Sequence, residues 1–121
     1  MNGSTTEETE RIGRRYFEAW TTRDGETTAS LLSPDFRFSA GDMVVEGREA
    51  FLAAGAFPPD AKTTMLDEAY QGDTGFQLYE STSGGRTVVI AERLRVAGDK
   101  LVESTFVTDM AAFGAFMDRS G

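Results

Sequence analysis

The sequence predicts an α+β fold: a curved antiparallel sheet shaped into a cone, with three helices from the amino-terminal half packed on its concave side. Three observations lead there. In GRTVVIAERLRVAGDKLVESTFVT, Gly85 to Thr108, two β-branched runs flank an Ala97-Gly98-Asp99-Lys100 turn, the pattern of a long hairpin. Near the start, Ile12, Tyr16 and Trp20, with Gly13, Phe17 and Ala19, form a wide aromatic stripe at helical spacing. The third observation is order, since helical segments interleaved with one short hairpin come first and four strands in meander follow.

Residues 1 to about 5 read as a polar tail. Thr5 followed by Glu8 makes a capping box, so a helix runs from there to about Thr22, with Arg11, Arg14, Arg15 and Glu18 on its outer side. Asp24 caps a short second helix, Glu26 to Leu32, which Pro34 stops. Phe36 to Ser39 alternates as a strand, Ala40-Gly41-Asp42 turns, and Met43 to Glu46 returns. Gly47 opens a third helix, Arg48 to about Ala54, with Phe51 and Leu52 facing inward, and Gly55 with Pro58-Pro59 ends it. Strands at Lys62 to Gln71 and Thr74 to Ser81 lead into the long hairpin, Arg86 to Val96 and Leu101 to Thr108. Met110 to Met117 is an apolar closing segment, helical or irregular.

At 121 residues the chain makes one domain, 1–121, with room for a core but not for a separate functional module. Twenty acidic residues against twelve basic ones give a net charge of -8, which opposes a nucleic-acid partner. With no Cys and no His, Ser-His or Cys-His nucleophilic catalysis, Cys/His zinc sites and disulfides are excluded. Acid-base work would fall to Asp, Glu, Tyr and Lys. No calcium-loop spacing or phosphate-binding glycine loop is present, so no metal or other cofactor is expected. Neither a leader-like amino terminus nor an 18-residue apolar span is found, so the expectation is a soluble cytoplasmic protein that does not engage membranes.

Strand parity singles out one residue. Val88, Ile90, Glu92, Leu94 and Val96 share a face of the long hairpin, which puts a carboxylate in the middle of an apolar row. Desolvation there raises its pKa unless donors or a cation compensate, and an arginine across the sheet such as Arg37 is one way to compensate. The opposite face, with Val89, Ala91, Arg93 and Arg95, reads as a homodimer surface.

The segments RRYFEAWTTRDGETTASLLSPDFRF, VEGREAFLAA and TVVIAERLRVAGDKLVEST resemble the nuclear-transport-factor-2-like, or cystatin-like cone, superfamily, and within it the SnoaL-like polyketide cyclases and ketosteroid isomerases. The resemblance spans Glu10 to Thr108. It implies the cone fold, and a superfold of this kind hosts several chemistries as well as plain binding modules. Carried over by position, Tyr16 falls where the steroid isomerases have their oxyanion-hole tyrosine, and Glu92 where they have a protonated aspartic acid. The general-base position is Ala40, and the nearest carboxylate is Asp42, two residues on. Arg93 resembles the arginine of limonene-epoxide-hydrolase-like members, but Arg95 stands where their intervening aspartate would be.

The resemblance and the parity together imply a pocket for a hydrophobic small molecule lined by Trp20, Phe38, Phe51, Leu66, Tyr70, Ser104, Phe106, Thr108 and Met110. Asp109 either caps the end of the last strand or enters the pocket. The implied function is cofactor-free acid-base isomerisation or cyclisation of a polyketide- or steroid-like carbonyl compound. Tyr16 and Glu92 would hold the enolate oxygen, and Asp42 would move the proton. The alternatives are a non-catalytic dimeric binding module using the same pocket and an assembly protein using only the sheet face.

Overall fold

The computed structural model describes residues 4–54 and 57–118. Four helices, α1 (Thr6–Thr21), α2 (Gly25–Leu31), α3 (Arg48–Ala53) and α4 (Met110–Met117), accompany six strands. These are β1 (Leu32–Ala40), β2 (Met43–Glu46), β3 (Lys62–Gln71), β4 (Thr74–Ser83), β5 (Arg86–Ala97) and β6 (Lys100–Thr108). The closing segment is thus a helix, seated on β5 and capped by the Asp109 carboxylate, which accepts from the N–H groups of Ala111 and Ala112 at 3.0 Å. That duty places Asp109 as a cap.

The capping box at α1 is formed: Glu8 N–H donates to Thr5 Oγ1 at 3.1 Å and Thr5 N–H to Glu8 Oε1 at 2.9 Å. The tail expectation fails at its last described residues. Ser4 is buried, and its hydroxyl donates to Gly98 O at 3.2 Å, tying the chain start to the hairpin turn. Residues 1–3 lie outside the described residues.

The sheet runs β2-β1-β6-β5-β4-β3 and is curved and unclosed. It is mixed, which corrects the antiparallel expectation: β1 pairs with β6 in parallel, Phe38 beside Ser104 and Ala40 beside Phe106. Parallel neighbours need a long crossover, and here that crossover is the whole of β2, α3, β3, β4 and β5. Local turn signals specify the two antiparallel units and are silent on how they join. The β1–β6 pairing breaks between Leu32 and Arg37, and Pro34, two residues past the C-cap of α2 and without an N–H to give to a ladder, lies in that break.

Helix α1 spans β3 to β6 with Thr9, Ile12, Gly13, Tyr16 and Ala19 buried against the sheet. Its close approach depends on Gly13. A β-carbon there would meet the Tyr70 ring at 2.8 Å, and one at Gly75 would also meet that ring at 2.8 Å. The ring is further held by its hydroxyl, which donates to Glu68 Oε1 and accepts from Gln77 Nε2, both at 2.9 Å. Tyr70 is thus packed closely against both glycines and tied by its hydroxyl, so a β-carbon at either position would have to displace a held ring.

In a free helix Gly13→Ala would stabilise by about 1 kcal/mol. Here it and Gly75→Ala should each cost about 1–3 kcal/mol through overpacking, while Gly25→Ala, where a β-carbon meets nothing within 4 Å, should be near neutral. Thermal melts of the three variants check this, and a Gly13→Ala variant that melts above the parent would refute the clamp.

Candidate functional site

Glu92 is completely buried. Tyr79 O–H donates to its Oε1 at 2.7 Å, and Ser104 and Tyr16 donate to its Oε2 at 2.5 and 3.2 Å. Register explains the convergence. Glu92 lies directly opposite Gln77 on β4 and Phe106 on β6, whereas Tyr79 pairs with Ile90 and Ser104 with Leu94, each two residues along β5. Both are diagonal neighbours on the buried face, the spacing that long side chains bridge. Tyr16 arrives from above on α1. The arginine pairing is absent: Arg37 lies on the outer face, where it, Arg93 and Arg95 gather round Glu103 at 3.9, 3.5 and 3.8 Å.

Burial pushes the Glu92 carboxyl above the usual carboxylate range, and the hydroxyls of Ser104, Tyr79 and Tyr16 pull it partly back. Both phenols are driven well above their ordinary value, first by burial and then by the neighbouring carboxylate.

Beside this cluster opens a cavity of about 290 Å³, lined by Tyr16, Trp20, Phe38, Phe51, Phe57, Phe106 and Phe113, with Val45, Met117 and others completing the wall. This is the small end of the roughly 300–1,000 Å³ range of small-molecule sites. The rings interlock edge to face, Phe38 with Phe106 at 4.7 Å and Trp20 with Phe57 at 5.0 Å. Tyr16 is the member of the polar cluster that lines the cavity, while Glu92, Tyr79 and Ser104 lie behind it. Among the described lining residues there is no carboxylate. Trp20 Nε1 is buried with no partner among the described residues.

Of the expected lining, Trp20, Phe38, Phe51 and Phe106 are in place. Five residues are elsewhere. Leu66 sits in a register shift between Met65 and Asp67 that reverses its parity, and it is 48% exposed. Tyr70 fills the glycine clamp, Ser104 serves Glu92, and Thr108 turns its hydroxyl to Val89 O at 2.7 Å. Met110 lies over the Gly41 turn. Asp42 is exposed in that turn and lines no part of the cavity, and Ala40 is fully buried. In α3, Phe51 packs on Phe36 and Phe38, but Leu52 is 40% exposed at the cavity edge.

Tyr79, Phe57, Phe113 and Met117 are the participants that sequence reasoning passed over. A signal existed for Tyr79, which shares a strand face with the buried Gln77 and Ser81, and for Phe113 and Met117, one helical turn apart. Phe57 lies beyond α3 in an irregular segment that no periodicity marks. Among the described residues no group of three or more His, Cys, Asp or Glu side chains could hold a metal ion, and no helix is long and apolar enough to cross a membrane.

A raised folded-state pKa means that the native protein holds the Glu92 proton more tightly than the unfolded chain does. The stability associated with that proton is complete below the unfolded carboxylate value and is lost as pH rises through the folded one. Glu92→Gln cannot ionise. Between about pH 4 and about pH 8 the parent should therefore lose stability relative to Glu92→Gln. Urea denaturation of both proteins at the two pH values checks this, and a gap that stays constant would show that Glu92 does not titrate abnormally.

The profile of the SnoaL-like domain family matches residues 13–104. Comparison with curated proteins finds no match. Among solved structures, a candidate ketosteroid isomerase from Kribbella flavida superposes with a TM-score of 0.82 at 24% identity, covering 86% of this chain and 79% of its own. A candidate SnoaL-like polyketide cyclase from a Jannaschia species gives 0.76 at 18% identity, covering 96% and 95%. An NTF2-like protein of unknown function from Cytophaga hutchinsonii gives 0.77 at 14% identity, covering 88% and 94%. At these identities the structural likenesses establish the fold alone. With three quarters of its length under one family profile, this chain belongs to the SnoaL-like domain family, and its fold is the one it shares with these NTF2-like structures.

Proposed function

We propose that the protein binds a small, largely apolar carbonyl compound in the cone cavity, with the Tyr16 hydroxyl donating to the carbonyl oxygen. The observation that carries this reading is the single phenol in a largely apolar, aromatic-rich wall, backed by a buried carboxylate. Tyr16 has one proton. While Glu92 is ionised that proton is committed to Oε2. Once Glu92 is protonated, the carboxylic acid can donate to the phenol oxygen and free the phenol proton for a ligand. Carbonyl binding and Glu92 protonation thus support each other.

The second reading is catalytic isomerisation or cyclisation, in which the same phenol stabilises a developing enolate. It is favoured by the polar cluster itself, because plain apolar binding does not require a buried carboxylate with three hydroxyls. The relatives described as candidate ketosteroid isomerase and polyketide cyclase point the same way. Asp42 as proton acceptor would have to enter from its exposed turn. The protein is further proposed to act in the cytoplasm as a homodimer through its outer sheet face, where Phe76, Leu78, Val89 and Val107 are exposed.

Calorimetric titration with 2-acetylnaphthalene and with 2-ethylnaphthalene tests the binding reading. The ketone should bind more tightly, Tyr16→Phe should weaken it about five- to tenfold, and the hydrocarbon should be unaffected. A ketone that binds no better than the hydrocarbon would remove Tyr16 from the site. Exchange of the ketone's α-hydrogens in D2O, followed by NMR, separates the two readings: acceleration that Tyr16→Phe abolishes establishes acid-base chemistry, and no acceleration leaves a binding module.

A further inference from the structure

The link between α1 and α2 is a helix-ending turn with an unusual occupant. Asp24 N–H donates to Ala19 O at 2.8 Å and Arg23 N–H to Trp20 O at 3.3 Å, the paired bonds of a Schellman motif. That motif needs a left-handed residue after the helix, and the position is normally glycine because a β-carbon is disfavoured there. Arg23 occupies it with φ +64°, the one positive φ outside glycine among the described residues. The turn alone does not account for arginine.

The side chain does. Arg23 is exposed and also lines the cavity, so it stands at the mouth. Its Nη2 donates to Phe57 O at 2.8 Å and to Pro58 O, which fixes the guanidinium against the segment that carries Phe57. Nε and Nη1 have no acceptor, and no carboxylate pairs with the cation, among the described residues. The adjacent Asp24 is spent on capping, accepting from Thr27 N–H at 3.0 Å and Thr27 O–H at 2.7 Å, and it lines a separate cleft with Arg15 and Glu18. In a chain of net charge -8 this leaves an unneutralised, pre-positioned cation at the rim of an apolar cavity whose described lining carries no other charge. Tyr16, seven residues earlier on α1, lines the same cavity.

We propose that the cavity selects an apolar carboxylic acid, its ring or chain inside the aromatic wall and its carboxylate at the mouth against Nε and Nη1 of Arg23. This rests on the reading of the cavity as a small-molecule site and adds the charge of the ligand to it. The contact is a charge-assisted hydrogen bond at a solvated edge, which sets its expected size.

The test titrates the full chain with 2-naphthylacetate, its neutral amide 2-naphthylacetamide, and 2-acetylnaphthalene at about 0.05 M and about 0.5 M salt. The acid should bind about three- to tenfold more tightly than the amide at low salt, and the preference should shrink at high salt. Arg23→Gln should bring the acid-to-amide affinity ratio to about one, and Arg23→Gly, which suits the backbone, should do the same. If the ketone binds but the acid gains nothing over the amide, the carboxylate assignment falls and the cavity reading survives. If Arg23→Gln weakens acid and amide equally, Arg23 is only a tie to the Phe57 segment. If none of the three probes binds, both readings fall.

Discussion

The interaction that ties helix and sheet together beside the cavity is one buried carboxylate. An ionised side chain with no cation beside it is costly to bury, by several kcal/mol even after relaxation, and Glu92 has none; its compensation is three hydroxyls drawn from three different elements. Tyr79 requires the β4–β5 register, Ser104 the β5–β6 register, and Tyr16 the seating of α1. A slip of one residue on either strand would turn its hydroxyl to the outer face and leave Glu92 without a donor. The cluster therefore ties helix and sheet into a single arrangement, and the same arrangement aims Tyr16 along the aromatic wall. Specification of the fold and construction of the site are here one set of contacts.

The seating of α1 is fixed independently at its other half. Tyr70, held between Gly13 and Gly75, closes the helix against β3 and β4, so the first half of α1 is packed tightly while its second half stands over the cavity. One end excludes solvent and sets the height of the helix; the other presents Tyr16 and Trp20 to an open space. The parallel β1–β6 pair serves the same end. By placing Phe38 next to Ser104 and Ala40 next to Phe106, it brings the β1–β2 hairpin and α3 over the cavity, where an all-antiparallel meander would have left them remote.

Much of this was legible in the residues. The period-two row around Glu92, the capping box, the aromatic stripe of α1 and the long hairpin each carry a local signal, and each stands where that signal puts it. What was not legible is non-local or depends on a single irregularity. Leu66 has the parity of a lining residue in an unbroken strand, and a register shift that no residue announces turns it outward. Tyr70 and Tyr79 are chemically alike in sequence, and only packing against two glycines in one case and diagonal reach to Glu92 in the other gives them different work. The parallel pairing joins segments more than sixty residues apart, beyond any periodicity. Asp42, two residues past the position where the resembled isomerases have their base, shows the limit of carrying roles over by alignment: the turn that restores parity also moves the carboxylate into solvent.

The distribution of polar groups then constrains what the cavity can do. A site that abstracts protons at neutral pH wants a base whose pKa lies near the working pH and which faces the substrate. Here the group with the raised pKa is behind the wall, and the group facing inward is a phenol whose own ionisation is strongly opposed by burial and by Glu92. In the proposed reading such a pair would donate a hydrogen bond to negative charge on an oxygen, and it is poorly suited to taking a proton from carbon. Any carbon acid chemistry must therefore draw its base from outside the described wall or from the ligand itself. A ligand carboxylate held at the mouth by Arg23 would be a base of that second kind, so the charge at the rim and the phenol in the wall belong to the same question about what enters the cone.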